Sequence, residues 1–116
     1  MSDIRVRFAP SPTGNLHIGG LRASLFNFLF ARAVGGKYLV RIEDTDLERS
    51  KAEYTESILS TLSWCNITPD EPIIIQSERA DKHRQLAQQL LKSGKAYKCY
   101  FTQDAHIATA GYQKYP

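Results

Sequence analysis

Two short stretches hold the residue types that chemistry needs. The first is Pro10-Ser11-Pro12-Thr13-Gly14-Asn15-Leu16-His17-Ile18-Gly19-Gly20, where one histidine stands among two prolines and three glycines. If a helix begins near Ile18, its unpaired N–H groups and the positive end of its dipole favour an anion against Gly19 and Gly20, with no side chain in the way. His17 would stand just before or within the first helical turn. An imidazole able to donate one hydrogen bond there suits transition-state stabilisation better than permanent charge pairing. The same spacing also fits a plain strand-to-helix turn with a solvent-facing histidine. The second stretch is Glu43-Asp44-Thr45-Asp46. Its carboxylates suit an ammonium group, a ribose hydroxyl or Mg²⁺ through water, and they suit equally the capping and turning of the chain. Arg7 and Arg41 each lie on an expected strand beside these stretches, and a guanidinium either grips a carboxylate or forms a solvated ion pair.

Two phosphate-binding motifs are excluded. Gly14 and Gly19 have the separation of a Walker A loop, but Gly20-Leu21 stands where its Lys-Ser/Thr would be, so the lysine that grips phosphate is missing. No G-x-G-x-x-G run is present. His83 and His106 have no partners in the pattern and read as structural. Tyr97, Tyr100 and Phe101 fit core packing or the stacking of bases.

The elements that position these residues follow from periodicity. Ile4, Val6 and Phe8 alternate with Arg5 and Arg7, the period-two pattern of a strand with one apolar face. Pro10 and Pro12 then end sheet pairing, and Gly14-Asn15 permits a turn. Ile18 to Val34 is apolar around most of its circumference, so a helix packed on more than one side is expected, closed by Gly35-Gly36. Lys37 to Glu43 reads as a buried strand. Strand, helix and strand in succession predict a parallel crossover that brings the glycine loop and the acidic stretch to the same carboxyl edge. Ser50-Lys51-Ala52-Glu53 matches a capping box for a second, amphipathic helix through Tyr54, Ile58, Leu62 and Cys65. Ile73-Ile74-Ile75 reads as a third short strand, and Ser77 as the cap of a third helix ending at Gly94. Tyr97 to Phe101 reads as a further strand.

Length and composition bound the answer to one soluble domain. The 116 residues are 42% apolar and 23% charged, with a net charge of +3 that weakly favours polyanion partners. The polar N-terminus lacks a signal-peptide core, and Arg22, Asn27 and Arg32 break the one long apolar run. Cys65 and Cys99 are expected as reduced thiols, and the cytoplasm as the location.

Taken together, Arg7-Phe8-Ala9-Pro10-Ser11-Pro12-Thr13-Gly14, His17-Ile18-Gly19-Gly20, Leu25-Phe26-Asn27, Arg41-Ile42-Glu43-Asp44-Thr45-Asp46 and Gln76-Ser77-Glu78-Arg79 resemble the amino-terminal part of bacterial glutamyl-tRNA synthetases. The resemblance runs from Ile4 to about Phe101. It implies an α/β fold with a Rossmann-like parallel sheet, the N-terminal and incomplete half of a class I synthetase catalytic domain. Residues 1–101 would belong to that domain and 102–116 to the start of a truncated connecting region. The implied reaction joins glutamate to tRNA(Glu) with ATP and Mg²⁺, through a glutamyl-adenylate. His17 would be the catalytic residue. Pro10, His17, Gly19 and Gly20 would hold ATP, Gly20 replacing the last histidine of a His-Ile-Gly-His-type signature. Arg7, Ala9 and Ser11 would hold glutamate, with Glu43 on its amino group.

The family's later Lys-Met-Ser-Lys-Ser-type loop and its connecting and anticodon-binding regions have no counterpart here, so the 116 residues are expected to be inactive alone. The Cys-x-Cys of zinc-holding members is reduced to Cys99-Tyr100-Phe101, and no zinc is expected. The paralogue that glutamylates queuosine is similar, but Leu25-Phe26-Asn27 and Thr45-Asp46 favour the full synthetase. Glutaminyl-tRNA synthetases differ at Pro10 to Gly14. A non-catalytic module that binds ATP or glutamate is the alternative of another class. No membrane partner is expected, and oligomeric state is not legible.

Overall fold

The computed structural model describes residues 3–98. It contains β1 (Arg5–Phe8), α1 (Ile18–Val34), β2 (Lys37–Ile42), α2 (Ala52–Trp64), β3 (Ile74–Ile75), a single 3₁₀ turn (Ser77–Arg79) and α3 (Ala80–Lys92). The chain divides into two compact units after Ala80.

In the first unit the three strands form one sheet in the order β1-β2-β3. Both pairings are parallel, with Arg5 beside Lys37, Phe8 beside Val40 and Ile42 beside Ile75. The expected crossover is therefore present. Tyr38, Val40 and Ile42 are buried on one face of β2, while Leu39 and Arg41 between them are half-buried. Strand alternation and register put Val6 and Phe8 on the core face and Arg5 and Arg7 on the other. Ala31 of α1, Ile58 and Leu62 of α2 and Ile67 complete the core. Tyr38 enters it with its hydroxyl satisfied by Ser24 at 2.6 Å and its ring edge-on to Phe28 at 5.6 Å. A buried hydroxyl without such a partner would cost about 1–3 kcal/mol.

The α1–β2 turn shows why two glycines adjoin. Gly35 ends α1 at φ 65°, a left-handed conformation that glycine adopts without a steric penalty, and its N–H returns to the Ala31 carbonyl. Gly36 has a different task. A Cβ there would lie 2.6 Å from the Ile4 carbonyl oxygen, so β1 approaches the turn more closely than any side chain allows.

Three local expectations differ from the structure. Helix α1 buries only Ser24 and Ala31, while Leu25, Phe26, Leu29 and Phe30 remain exposed, Phe26 at 62%. Its apolar circumference exceeds what residues 3–80 cover. The capping box at Ser50 does not form, because the Lys51 N–H is drawn to the Pro12 carbonyl at 3.1 Å and the helix is entered one residue later. Lys51 becomes the N-cap without a side-chain bond, and Ser50 Oγ is left buried without a partner among the described residues. The third strand is two residues long, Ile73 lying outside it. In the second unit, α3 carries Leu86, Leu90 and Leu91 at helical spacing and closes at Gly94, φ 70°. Tyr97 and Lys98 are not in a strand. The rest of that expected strand, and the expected boundary at 101 and 102, lie outside the described residues.

The amino edge of the sheet is fastened by two acids from the α2–β3 connection. Asp70 accepts the Tyr38 N–H at 2.7 Å and an Arg32 N–H at 2.9 Å. Glu71 accepts both Arg5 terminal nitrogens, at 2.6 and 2.7 Å, and Lys37 Nζ at 3.0 Å. The Arg5 hydrogen bonds, followed by Lys37, lower the Glu71 carboxyl from 4.5 to about 2. A carboxyl lowered by folding stabilises the fold fully above its unfolded value and loses that contribution as pH falls through its folded one. The wild-type urea midpoint is therefore expected to fall between pH 4.5 and about 2 more steeply than that of Glu71→Gln. Equal slopes in the two proteins would contradict this role for Glu71.

Candidate active site

The carboxyl edge is built around the two prolines. Proline cannot donate to a sheet, but its carbonyl can accept. Pro10 O takes the Glu43 N–H at 2.9 Å, and Pro12 O takes the Lys51 N–H. Pro12 itself is buried. The loop leaving β1 is thereby bonded both to the exit of β2 and to the entrance of α2, and Thr13-Gly14 bends above it.

His17 is the N-cap of α1, with extended backbone at φ −90° and ψ 163°. Its Nδ1 accepts the Gly20 N–H at 3.3 Å, so the proton of a neutral ring would sit on Nε2. Side-chain capping of this kind is ordinarily supplied by Ser, Thr, Asp or Asn. The two glycines are not equivalent. A Cβ on Gly19 would stand 3.0 Å from the imidazole, whereas one on Gly20 would stand 2.8 Å from Leu16 Cδ1. Gly20 therefore admits the Leu16 side chain, and Gly19 admits the imidazole. The N–H groups of a first helical turn have no acceptor within the helix. Gly20 has the imidazole, and those of Ile18 and Gly19 are the ones an anion would use.

The acidic stretch is almost fully engaged by the chain itself. Glu43 pairs with Arg41. Asp44 accepts the Ser77 N–H at 2.9 Å and the Ser77 hydroxyl at 2.5 Å. Burial pushes the Asp44 carboxyl up, but the two Ser77 bonds together with its own backbone N–H outweigh it and hold it below the ordinary carboxylate value. Asp46 accepts Arg49 Nε at 2.6 Å and the Arg49 N–H at 3.1 Å, which hold its carboxyl low and close the turn over 47–49. Asp44 and Asp46 thus turn and tie the chain. Among the described residues no group of three or more His, Cys, Asp and Glu is arranged to hold a metal ion. A Mg²⁺ caged by protein carboxylates alone would need more ligands than this stretch leaves open, whereas one carried by phosphates needs only one or two. Cys99, which bears on zinc, lies outside the described residues. No described helix is long and apolar enough to cross a membrane.

Arg7 and Arg41 share the sheet face opposite the core but differ in commitment. Arg41 is tied to Glu43, whereas Arg7 is exposed and has no ion pair among the described residues. Ala9 is half-buried just past β1, and Ser11 is exposed, its carbonyl taking the Thr13 N–H at 2.9 Å. A separate cleft of about 430 Å³ opens beyond Pro12, lined among others by Asp44, Leu47, Lys51, Thr55 and Ser77. His17, Arg7 and Glu43 do not line it.

A parallel sheet, a histidine-capped first helix and an acidic turn at the same edge are the features of a class I synthetase catalytic domain. Residues 3–109 match the family of tRNA synthetases class I (E and Q), catalytic domain, and the chain belongs to it. Among curated relatives, it is 57% identical over 101 residues to glutamate–tRNA ligase 1 of Acidiphilium cryptum (strain JF-5), 87% of this chain and 22% of that protein. It is also 57% identical over 101 residues to the glutamate–tRNA ligase of Synechocystis sp. (strain ATCC 27184 / PCC 6803 / Kazusa), 87% of this chain and 21% of that one. A glutamate tRNA ligase from Elizabethkingia meningosepticum CCUG26117, solved in complex with its amino acid, superposes with a TM-score of 0.81 at 41% identity. That alignment covers 92% of this chain and 23% of the other. The chain thus spans about a fifth of the length of these relatives.

The Asp44–Ser77 clamp escaped sequence reasoning, which made Ser77 a helix cap. Their separation of 33 positions leaves no local signal. With Gln76 N–H on the Ile42 carbonyl at 3.0 Å, it fastens the 3₁₀ turn to the end of β2. Asp44→Ala and Ser77→Ala are each expected to lower stability by about 1 kcal/mol in urea unfolding. The double variant should cost no more than Asp44→Ala alone, and fully additive losses would contradict a shared interaction.

Proposed function

We propose that this chain is the glutamate- and ATP-binding part of a cytoplasmic glutamate–tRNA ligase, which joins glutamate to tRNA(Glu) through a glutamyl-adenylate. The observation that carries the reading is that an arginine and a held carboxylate stand at one edge, the arginine with no ion pair among the described residues. Arg7 lacks an ion pair among the described residues, and Glu43 is fixed by Arg41 and Pro10 at the same edge. Glutamate has the complementary charges, its side-chain carboxylate for Arg7 and its ammonium for Glu43. Ala9 leaves room beside it, and Ser11 offers a hydroxyl.

ATP would lie along Pro10, His17, Gly19 and Gly20, with phosphate oxygens against the first turn of α1. A glutamate α-carboxylate oxygen attacks the α-phosphorus in line. One C–O–P linkage forms, the bond to the β-phosphate oxygen breaks, and pyrophosphate leaves. Negative charge develops on the non-bridging oxygens, where a proton donated from His17 Nε2 binds the transition state more tightly than the ground state. The terminal ribose hydroxyl of tRNA then takes the glutamyl group and AMP departs. Mg²⁺ accompanying ATP would be held by phosphate and water, since the carboxylates here are engaged. The 116 residues span a fifth of their relatives and are proposed to bind both reactants without charging tRNA.

Isothermal titration of the 116-residue protein with ATP, glutamate and a non-hydrolysable glutamyl-adenylate analogue tests this reading. The expected result is binding of glutamate and of the analogue, with His17→Ala weakening the analogue about tenfold more than ATP. Absence of binding by all three contradicts the site. Equal weakening of both contradicts the role of His17.

A further inference from the structure

Arg41 is a guanidinium with an unusual balance of contacts. It lies on the half-buried side of β2, its side chain 33% exposed, beside Ile74 of β3 in the sheet register. One terminal nitrogen bonds Glu43 Oε1. Its Nε is sealed from solvent and has no hydrogen-bond partner among the described residues. An unsatisfied buried donor is costly, so this orientation is not the one that best serves the arginine's own donors. It serves Glu43, whose backbone is simultaneously pinned by its N–H on the Pro10 carbonyl.

A carboxylate held at its main chain and at one oxygen has one free direction left. We propose that Arg41 is a positioning residue, fixing Glu43 Oε1 so that Oε2 is presented to the ammonium group of an α-amino acid. The inference rests on the glutamate site described above and adds a residue that acts through Glu43 without touching the ligand. It also separates the two arginines of this face. Arg7 is left to meet a ligand carboxylate, and Arg41 is spent on orientation. Lysine cannot take over this task, because a single ammonium on a flexible stem lacks the planar fork that sets direction.

The test compares glutamate with glutarate, which has the same two carboxylates and no ammonium, by isothermal titration of the 116-residue protein. Arg41→Gln is expected to weaken glutamate about tenfold and to leave glutarate within about twofold of wild type. Arg41→Lys, which keeps the charge and most of the packing, should give the same pattern and guards against a folding defect in the first variant. Equal weakening of both ligands, or no change in either, overturns the positioning role and leaves the glutamate site standing. Wild-type protein that binds neither ligand overturns the site, and the inference with it.

Discussion

The hydrogen bond from the Glu43 N–H to the Pro10 carbonyl is the contact on which the site depends. Its length is 2.9 Å, and it joins the residue after β2 to the residue that ends sheet pairing after β1. Proline at position 10 stops the ladder because it has no donor, yet its carbonyl continues the connection by one step. Pro12 repeats the device toward Lys51 and is buried in doing so. The loop between β1 and α1 is consequently stretched across the carboxyl edge, bonded to the segments that follow. It delivers His17 to the first turn of α1 and keeps Ala9 and Ser11 next to the exit of β2.

The two edges of the sheet differ in how fully their charges are engaged. At the amino edge, Asp70 and Glu71 satisfy Arg32, Arg5, Lys37 and the Tyr38 N–H. At the carboxyl edge most charges are also consumed, Asp44 by Ser77 and Asp46 by Arg49. The exception gives the edge its character. Arg7 has no ion pair among the described residues, and Glu43 keeps one oxygen outside its pair with Arg41. The glutamate proposed above, a zwitterion with a second carboxylate, would complement that residue of charge, and the two curated relatives compared above are glutamate–tRNA ligases.

Much of this was legible in the residues. The alternation of Ile4, Val6 and Phe8 with Arg5 and Arg7 reports β1 directly, and the glycines at 35 and 36 mark the end of α1. The meeting of the glycine loop with the acidic stretch follows from a parallel crossover and needs no side-chain detail. What could not be read depends on tertiary competition for a group that has several local uses. Ser50 has the form of a capping residue, but the Pro12 carbonyl claims the Lys51 N–H and the cap is lost. Ser77 has the same form and is claimed by Asp44. By residue type and spacing Arg7 and Arg41 look alike, and the structure adds to the resemblance that Arg41 is half-buried and paired with Glu43 while Arg7 is exposed. Gly20 reads as a ligand contact, and the spacing does not reveal that a Cβ there would meet Leu16 or that its N–H is donated to the His17 ring.

Amide hydrogen exchange at Glu43 and Lys51 tests most directly whether the proline loop is bonded across the carboxyl edge. Both N–H groups have carbonyl partners in that loop, so both should be protected to within about tenfold of the β1–β2 ladder amides, opening with the sheet. Exchange at the rate of an unstructured segment, while the ladder stays protected, would contradict the account. The loop would then be independent of β2, and His17 and Glu43 would have no common support.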